Sequence, residues 1–346
     1  MTVTATARDL LTQPEAEARA VLVSNAAYTL DITLVRGAET YRGDVTVTFD
    51  LATVEGTFLD FRGKTIDLLE INGAKVEPER TEFRLMLPES TLSAHNTVRI
   101  VYENEYDHGG DGFHQFKDPE DGQEYLYSNF EPYEAHRLFP CFDQPDIKGV
   151  YALTVTAPAE WEVIGNSAEA SRTTLADGRM RRVFEPTKKF STYLFALIAG
   201  PYHAVHETHG QTTLGLYCRK SLAKHLDTEE LFTISKQGLD FFGTFFDRPY
   251  EPSSAEAAPV LAPKRPMGSA RVEGCPRTTR TACPRRAVSR RMSKRFSRSR
   301  SSSAVSRSSS SVPSPSVAEE MPNGTIARIV TRRVRPRVRT ATAAAA

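Results

Sequence analysis

From Tyr28 to about Tyr202 apolar and polar residues alternate with a period of two. Tyr28, Leu30, Ile32 and Leu34 alternate with polar neighbours, as do Val45, Val47 and Phe49, then Val98, Ile100 and Tyr102, then Tyr151, Leu153 and Val155. This pattern predicts half-buried strands in antiparallel sheets. Arg62-Gly63, Asn72-Gly73, Asp121-Gly122 and Asp177-Gly178 punctuate the runs as turns, and Asn72-Gly73, between two short apolar stretches, is the strongest two-residue hairpin signal. Ahead of the strands, Glu15 to Ser24 reads as one short amphipathic helix. After Leu216-Tyr217-Cys218 the period lengthens. Asp227-Thr228-Glu229-Glu230 has the form of a capping box. Leu231, Ile234, Leu239, Phe242, Phe245 and Phe246 follow at near-helical spacing, which predicts a helix over about 226–246. Its Phe-rich face needs a covering layer, and little apolar sequence follows that would provide one.

Composition changes the picture beyond Tyr250. Residues 1–250 carry 24 Lys+Arg against 38 Asp+Glu, whereas residues 251–346 carry 20 against 5, so the overall charge of +1 describes neither part. The second part holds 18 Arg but only Lys264 and Lys294, a single aromatic residue (Phe296) and no His, and Arg298 to Ser311 is almost pure Arg and Ser. So little apolar surface cannot offset the entropy of ordering, and the expectation is disorder, with one strand candidate at Ile326–Val330. Cys141, Cys218, Cys275 and Cys283 are too few and too scattered for a disulfide scaffold. Cys141, between Pro140 and Phe142, reads as a buried structural thiol. Met1 to Arg19 lacks the apolar core of a signal peptide, and the most apolar run, Tyr193 to Gly200, is too short to span a bilayer. A cytoplasmic protein without a membrane partner is the expectation.

One stretch carries most of the functional information. Asn129-Phe130-Glu131-Pro132-Tyr133-Glu134-Ala135-His136-Arg137 continues through Leu138-Phe139-Pro140-Cys141-Phe142-Asp143-Gln144-Pro145. It resembles the block near the end of the first domain in the aminopeptidase N family, the gluzincin zinc aminopeptidases. Gly112-Phe113-His114, Tyr125-Leu126-Tyr127-Ser128, Ser191-Thr192-Tyr193-Leu194-Phe195-Ala196 and Phe246-Asp247-Arg248-Pro249-Tyr250 fit the same family, so the resemblance covers roughly residues 15–250. It implies a mostly β chain. A helical lead-in (1–25) would precede a saddle-like antiparallel β-sheet domain (26–201), then the truncated start of a thermolysin-like α/β catalytic domain (202–250) and the disordered tail (251–346).

The resemblance also implies zinc-dependent removal of N-terminal residues from peptides. Glu131 would help hold the substrate's free α-amino group, a task that suits a carboxylate because it pairs with an ammonium at close range. Taken alone, Glu131 is an ordinary surface carboxylate at a strand end. Arg137 and Asp143 either pair to brace the block or both face solvent.

In the family a Gly-x-Met-Glu-Asn motif and a His-Glu-x-x-His zinc motif follow. Here Glu251-Pro252-Ser253-Ser254 replaces that continuation, and His225 is the last histidine, so no His-Glu-x-x-His lies beyond it. His203, His206 and His209 are spaced three apart, whereas the zinc motif needs His at i and i+4 on a helix. They read as solvent histidines on a strand, and no residue of the chain is assigned as a zinc ligand. Asp118-Pro119-Glu120-Asp121-Gly122 lacks the spacing of a calcium loop and reads as a polar hairpin tip. The expectation is therefore a chain of this family that does not itself hydrolyse peptides. The tail's composition fits an out-of-frame translation of a GC-rich strand. The alternatives are an RNA-associated protein acting non-specifically on nucleic acid through Arg/Ser segments, or a binding-only fragment.

Overall fold

Thr12 and Glu15 start the first helix, α1 (Gln13–Leu22): the Glu15 carboxylate accepts from the Thr12 amide at 2.8 Å and from its hydroxyl at 2.7 Å. Pro14 in the first turn has no amide hydrogen to leave unpaired. The structure, a computed structural model, describes residues 10–248, 260–261 and 330–333. The chain divides into two units, Met1–Ala262 with Ile326–Ala346, and Pro263–Thr325, the second lying wholly outside the described residues. The readings of Cys275, Cys283 and most of the 251–346 tail lie outside them too.

From α1 the chain runs through β1 (Val23–Thr33), β2 (Thr40–Leu51), β3 (Thr57–Asp60), β4 (Thr65–Ile71), β5 (Ala74–Lys75) and β6 (Arg84–Leu87). It continues with β7 (His95–Glu105), β8 (Gly112–Lys117), β9 (Glu124–Asn129), β10 (Val150–Ala157), β11 (Glu162–Gly165), β12 (Glu169–Thr174) and β13 (Met180–Phe184). Then come β14 (Leu197–Gly200), β15 (His203–His209), β16 (Thr212–Cys218), the helix α2 (Thr228–Phe245), β17 (Val260–Leu261) and β18 (Val330–Arg333). The chain is mostly β, as its period of two predicts. Helix α1 ends two residues earlier than predicted, because Val23 and Ser24 already belong to β1.

Among the described residues an eight-stranded sheet has the order β12-β13-β10-β1-β2-β7-β4-β5, and a four-stranded sheet the order β11-β14-β9-β8. Strand β1 lies inside the larger sheet, antiparallel to β2 on one side and parallel to β10 on the other, with Ala27 opposite Val150 and Thr33 opposite Thr156. This parallel pair is the exception in a sheet whose other pairings are antiparallel, as the alternating pattern predicts. The Asn72-Gly73 hairpin forms as predicted: both residues have positive φ, 52° and 84°, as a tight hairpin with right-handed twist requires.

The alternating residues of β1, β2, β7 and β10 meet the 130–142 block in one core, where Tyr28 stacks on Tyr151 (centroids 5.0 Å apart) and Phe49 meets Phe142 edge-on at 5.0 Å. A separate small core joins β16 to α2. The Asp227 side chain accepts from the Glu230 amide at 3.1 Å, as the capping box predicts. Of the predicted apolar stripe, Leu231 and Leu239 pack inward beside Phe232, which the spacing did not single out and which is 2% exposed against Leu214 and Leu216. Ile234, Phe242, Phe245 and Phe246 face outward with Phe241, on the side of the helix away from Leu214 and Leu216.

Candidate functional site

Strand β9 ends at Asn129, Phe130 turns into the core, and Glu131 emerges into solvent ahead of a cis peptide bond to Pro132. Among the described residues Glu131 makes no hydrogen bond or ion pair, while Asn129, Tyr133 and Glu134 in the same loop are held. The Glu134 amide donates to the Phe130 carbonyl at 3.0 Å, closing the loop on itself. The Tyr133 hydroxyl donates to Asp60 Oδ1 at 3.0 Å, and Asn129 Nδ2 donates to Asp111 Oδ1 at 3.0 Å. Burial, reinforced by the Asp60 charge, raises the Tyr133 hydroxyl above its ordinary pKa, so it remains a donor.

Beneath this loop lies a buried polar network. Asp60, at the end of β3, exchanges backbone hydrogen bonds with Cys141 at 2.8 and 3.1 Å and accepts from the Asp143 amide at 2.9 Å. Arg19 of α1 reaches it with Nη1 2.8 Å from Asp60 Oδ2, while its Nε donates to Gln144 Oε1 at 3.1 Å. Arg19 and Asp60 thus form a buried ion pair, their side chains 3% and 0% exposed. Burial pushes the Asp60 carboxyl above its ordinary pKa and the Arg19 charge opposes that shift. The guanidinium also sits 4.8 Å from the centre of the Phe58 ring, which supports a desolvated cation.

Asp143 does not pair with Arg137, and it is buried. It accepts from the His136 amide (3.1 Å) and the Thr192 hydroxyl (2.6 Å), and His136 Nδ1 lies 2.9 Å from its carboxylate. Thr192 belongs to the later sequence block, and its neighbour Ser191 donates to the Pro145 carbonyl at 2.5 Å, so two blocks distant in sequence are joined here. Arg137 turns the other way, to Asp107 (3.1 Å) and Glu134. Arg137 and Asp143 therefore neither pair with each other nor both face solvent, contrary to both sequence expectations. A strongly turned backbone points the two side chains in opposite directions, one into the core and one along its edge.

Asp107 also accepts from the Phe113 amide at 2.9 Å, and burial raises its pKa against the opposing pull of Arg137. Cys141 is buried as predicted, and burial pushes its thiol far up, so it stays a neutral packing group.

The other candidates separate cleanly. His203, His206 and His209 do lie on a strand, where period two puts His206 on the opposite face from the other two. His206 Nε2 lies 2.9 Å from the Tyr217 hydroxyl and His209 Nε2 is 2.7 Å from Asp240. Residues 118–122 form the tip of the β8–β9 hairpin, as expected, but Asp118 is buried rather than solvated. It accepts from Arg219 and Ser221, both at 2.5 Å, across the gap to the segment after β16. Among the described residues no group of three or more His, Cys, Asp or Glu side chains is placed to hold a metal ion, so the donor set does not fit the zinc implied by the resemblance.

Among the described residues this is a mostly β unit in which a polar block closes the core and presents the unpaired Glu131 carboxylate at its surface. Residues 24–194 match the Peptidase M1 N-terminal domain family. Aminopeptidase N of Streptomyces lividans is 41% identical over 249 residues, which are 69% of this chain and 28% of that protein. Aminopeptidase N of Acetobacter pasteurianus is 25% identical over 65% of this chain and 64% of its own length, and human glutamyl aminopeptidase is 29% identical over 40% and 15%. Through this N-terminal region the chain belongs to the aminopeptidase N family. It spans between about a quarter and two thirds of the length of the two aminopeptidase N relatives. No helix among the described residues is long and apolar enough to cross a membrane.

Proposed function

We propose that this chain carries the amine-recognition half of a zinc aminopeptidase site, with Glu131 as the carboxylate that receives a peptide's free α-ammonium group. The observation that carries this reading is the contrast within one loop: Tyr133, Glu134 and Asn129 are all engaged, while Glu131 is exposed and unpaired. A fixed, unpaired carboxylate is preorganised for a cation, because little of its attraction is lost to reorganising the loop on binding. Residues 202–250 read as the start of the thermolysin-like domain that would supply the other half. A protein with that domain intact would hold zinc there and release N-terminal residues from peptides. The 346-residue sequence contains no His-Glu-x-x-His, so in this reading the chain as given recognises peptide N-termini through Glu131 and does not cleave them itself. The tail reads as out-of-frame, and a Gly-x-Met-Glu-Asn and a His-Glu-x-x-His in another frame downstream of the Tyr250 codon would support that.

Titration of a short peptide into the purified chain, followed by amide chemical shifts, tests the assignment. A free N-terminus should bind weakly, with a Kd on the order of 1 mM, perturb residues 129–134, and lose at least about fivefold affinity with E131Q. The N-acetylated peptide should not bind. Equal binding of both peptides would remove the assignment, and chelator-sensitive turnover of an aminoacyl-anilide by the purified chain would overturn the claim that it does not cleave.

A further inference from the structure

The β8–β9 hairpin meets the chain after β16 at its tip and carries Glu131 just past its base. The tip is stiffened from within. Asp118 Oδ1 accepts from the Glu120 amide at 2.9 Å, the Asp118 amide donates to the Gln123 carbonyl at 2.8 Å, and the Gln123 amide donates to Asp121 Oδ1 at 2.8 Å. The other Asp118 oxygen faces outward and accepts from Arg219 Nη1 and Ser221 Oγ, both at 2.5 Å. The Arg219 guanidinium also lies 4.6 Å from the centre of the Phe116 ring. Beside it, the Tyr125 hydroxyl donates to Asp121 at 2.6 Å and accepts from the Lys220 amide at 3.0 Å.

The hairpin's own sheet does not hold this end. Strand β14 pairs with β9 at Leu126 and Tyr127, so the tip half runs past it and is fastened to residues 219–221 instead. Asp118 and Arg219 are 3% and 13% exposed, so removing either partner leaves the other desolvated and without its counter-charge. The base is fastened as well: the Phe113 amide and Arg137 both donate to Asp107, and Asn129 donates to Asp111. At about 3.4 Å per residue, β9 covers roughly 17 Å between the two ends. A paired ribbon held at both ends passes a displacement of its tip on to its base, since rigid elements carry coupling between distant places. A site whose halves lie on different segments needs their spacing held to within about 0.5 Å. We propose that Asp118 and Arg219 are positioning residues for Glu131. They clamp the hairpin to the chain after β16 and so set the place of the Glu131 carboxylate relative to the segment that begins the other half of the site. This rests on the reading of Glu131 as the acceptor of a peptide's α-ammonium group.

Amide chemical shifts and peptide titration of the full chain test it, comparing wild type with R219M and S221A. R219M keeps an unbranched stem against Phe116 and removes the charge, whereas S221A removes one hydrogen bond to Asp118 and keeps the ion pair. R219M should shift the amides of residues 129–134, at the far end of the hairpin, and weaken binding of a free-N-terminal peptide by about threefold or more. S221A should shift the same amides by less, and the amides of β1 and β2 should stay where they are in both variants. Shifts confined to residues 116–125 and 218–224, with peptide affinity within about twofold of wild type, would overturn the proposal. Equal binding of free and N-acetylated peptides by wild type would remove the reading of Glu131 instead, and the 129–134 shifts in R219M would still decide whether the hairpin joins the two places.

Discussion

Replacing Arg19 with methionine tests how the buried network under the Glu131 loop is held. R19M keeps an unbranched apolar stem against Phe58 and Phe142 but removes the charge 2.8 Å from Asp60, whose side chain is fully buried. An uncompensated buried carboxylate costs about 3–5 kcal/mol. That is a large share of the roughly 5–15 kcal/mol by which domains are stable. The loss should depend on pH in a definite direction. Burial already holds the folded Asp60 carboxyl above its unfolded value of 3.8, with Arg19 opposing the shift. A raised carboxyl contributes stability that is present below the unfolded pKa and is lost as pH rises through the folded one. Removing Arg19 raises the folded value further, so R19M should be closer to wild type at about pH 5 than at about pH 7.5. The double variant R19M/D60N, which has no charge to neutralise, should be more stable than R19M at neutral pH. Urea unfolding read by the fluorescence of Trp161, the only tryptophan and 1% exposed, gives all of these values. A cost below about 1 kcal/mol, or one unchanged with pH, would refute the account of Asp60 as a charge that depends on Arg19.

Three further outcomes follow from other parts of the molecule. G112A should destabilise by roughly 1–3 kcal/mol in the same urea assay, because Gly112 has φ +75° and an added Cβ would strike the Asp107 carboxylate and Arg137; wild-type stability would show that the Asp107 contact yields freely. Burial pushes the Asp118 carboxyl up, but Ser221, the Glu120 amide and Arg219 outweigh it and hold it below 3.8, a contribution present above 3.8 and lost as pH falls through the lower folded value. D118N should therefore cost about 1–3 kcal/mol at neutral pH and show a shallower acid-side loss of stability, and identical acid slopes for both proteins would contradict it. The double substitution F241S/F245S should reduce self-association seen by sedimentation without lowering the unfolding midpoint, since both rings are at least 60% exposed and stack on each other rather than on the core; a lowered midpoint would mean they pack on the fold.

The strands were legible because each carries its own period, and the Asn72-Gly73 turn because its backbone demand is local. The Phe130–Pro145 block was legible as a unit. Its internal wiring was not, because Asp143 finds Thr192, Tyr133 finds Asp60 and Arg137 finds Asp107, all partners set by tertiary position. Arg19 gave no signal of its role: on an otherwise ordinary amphipathic helix it looks like a solvated charge, and only the fold places it over a buried carboxylate. The shortage of cover for the Phe-rich face of α2 is legible in the sequence, but the burial of Phe232 is not, because spacing alone does not say which of its apolar residues the two neighbouring strands will cover.

The parallel pairing of β1 with β10 has a bearing on how the chain is made. Ala27 cannot find Val150 until the intervening residues have left the ribosome, an interval on the order of ten seconds at roughly 5–20 residues per second. Once β7 has emerged, β1, β2 and β7 can assemble ahead of β10, but the far side of β1 remains an open edge beside Tyr28, Leu30 and Ile32. Nascent chains would thus pass through a stage in which a long apolar strand is available to any neighbour, and a holdase or rapid elongation through codon 157 would favour the correct closure.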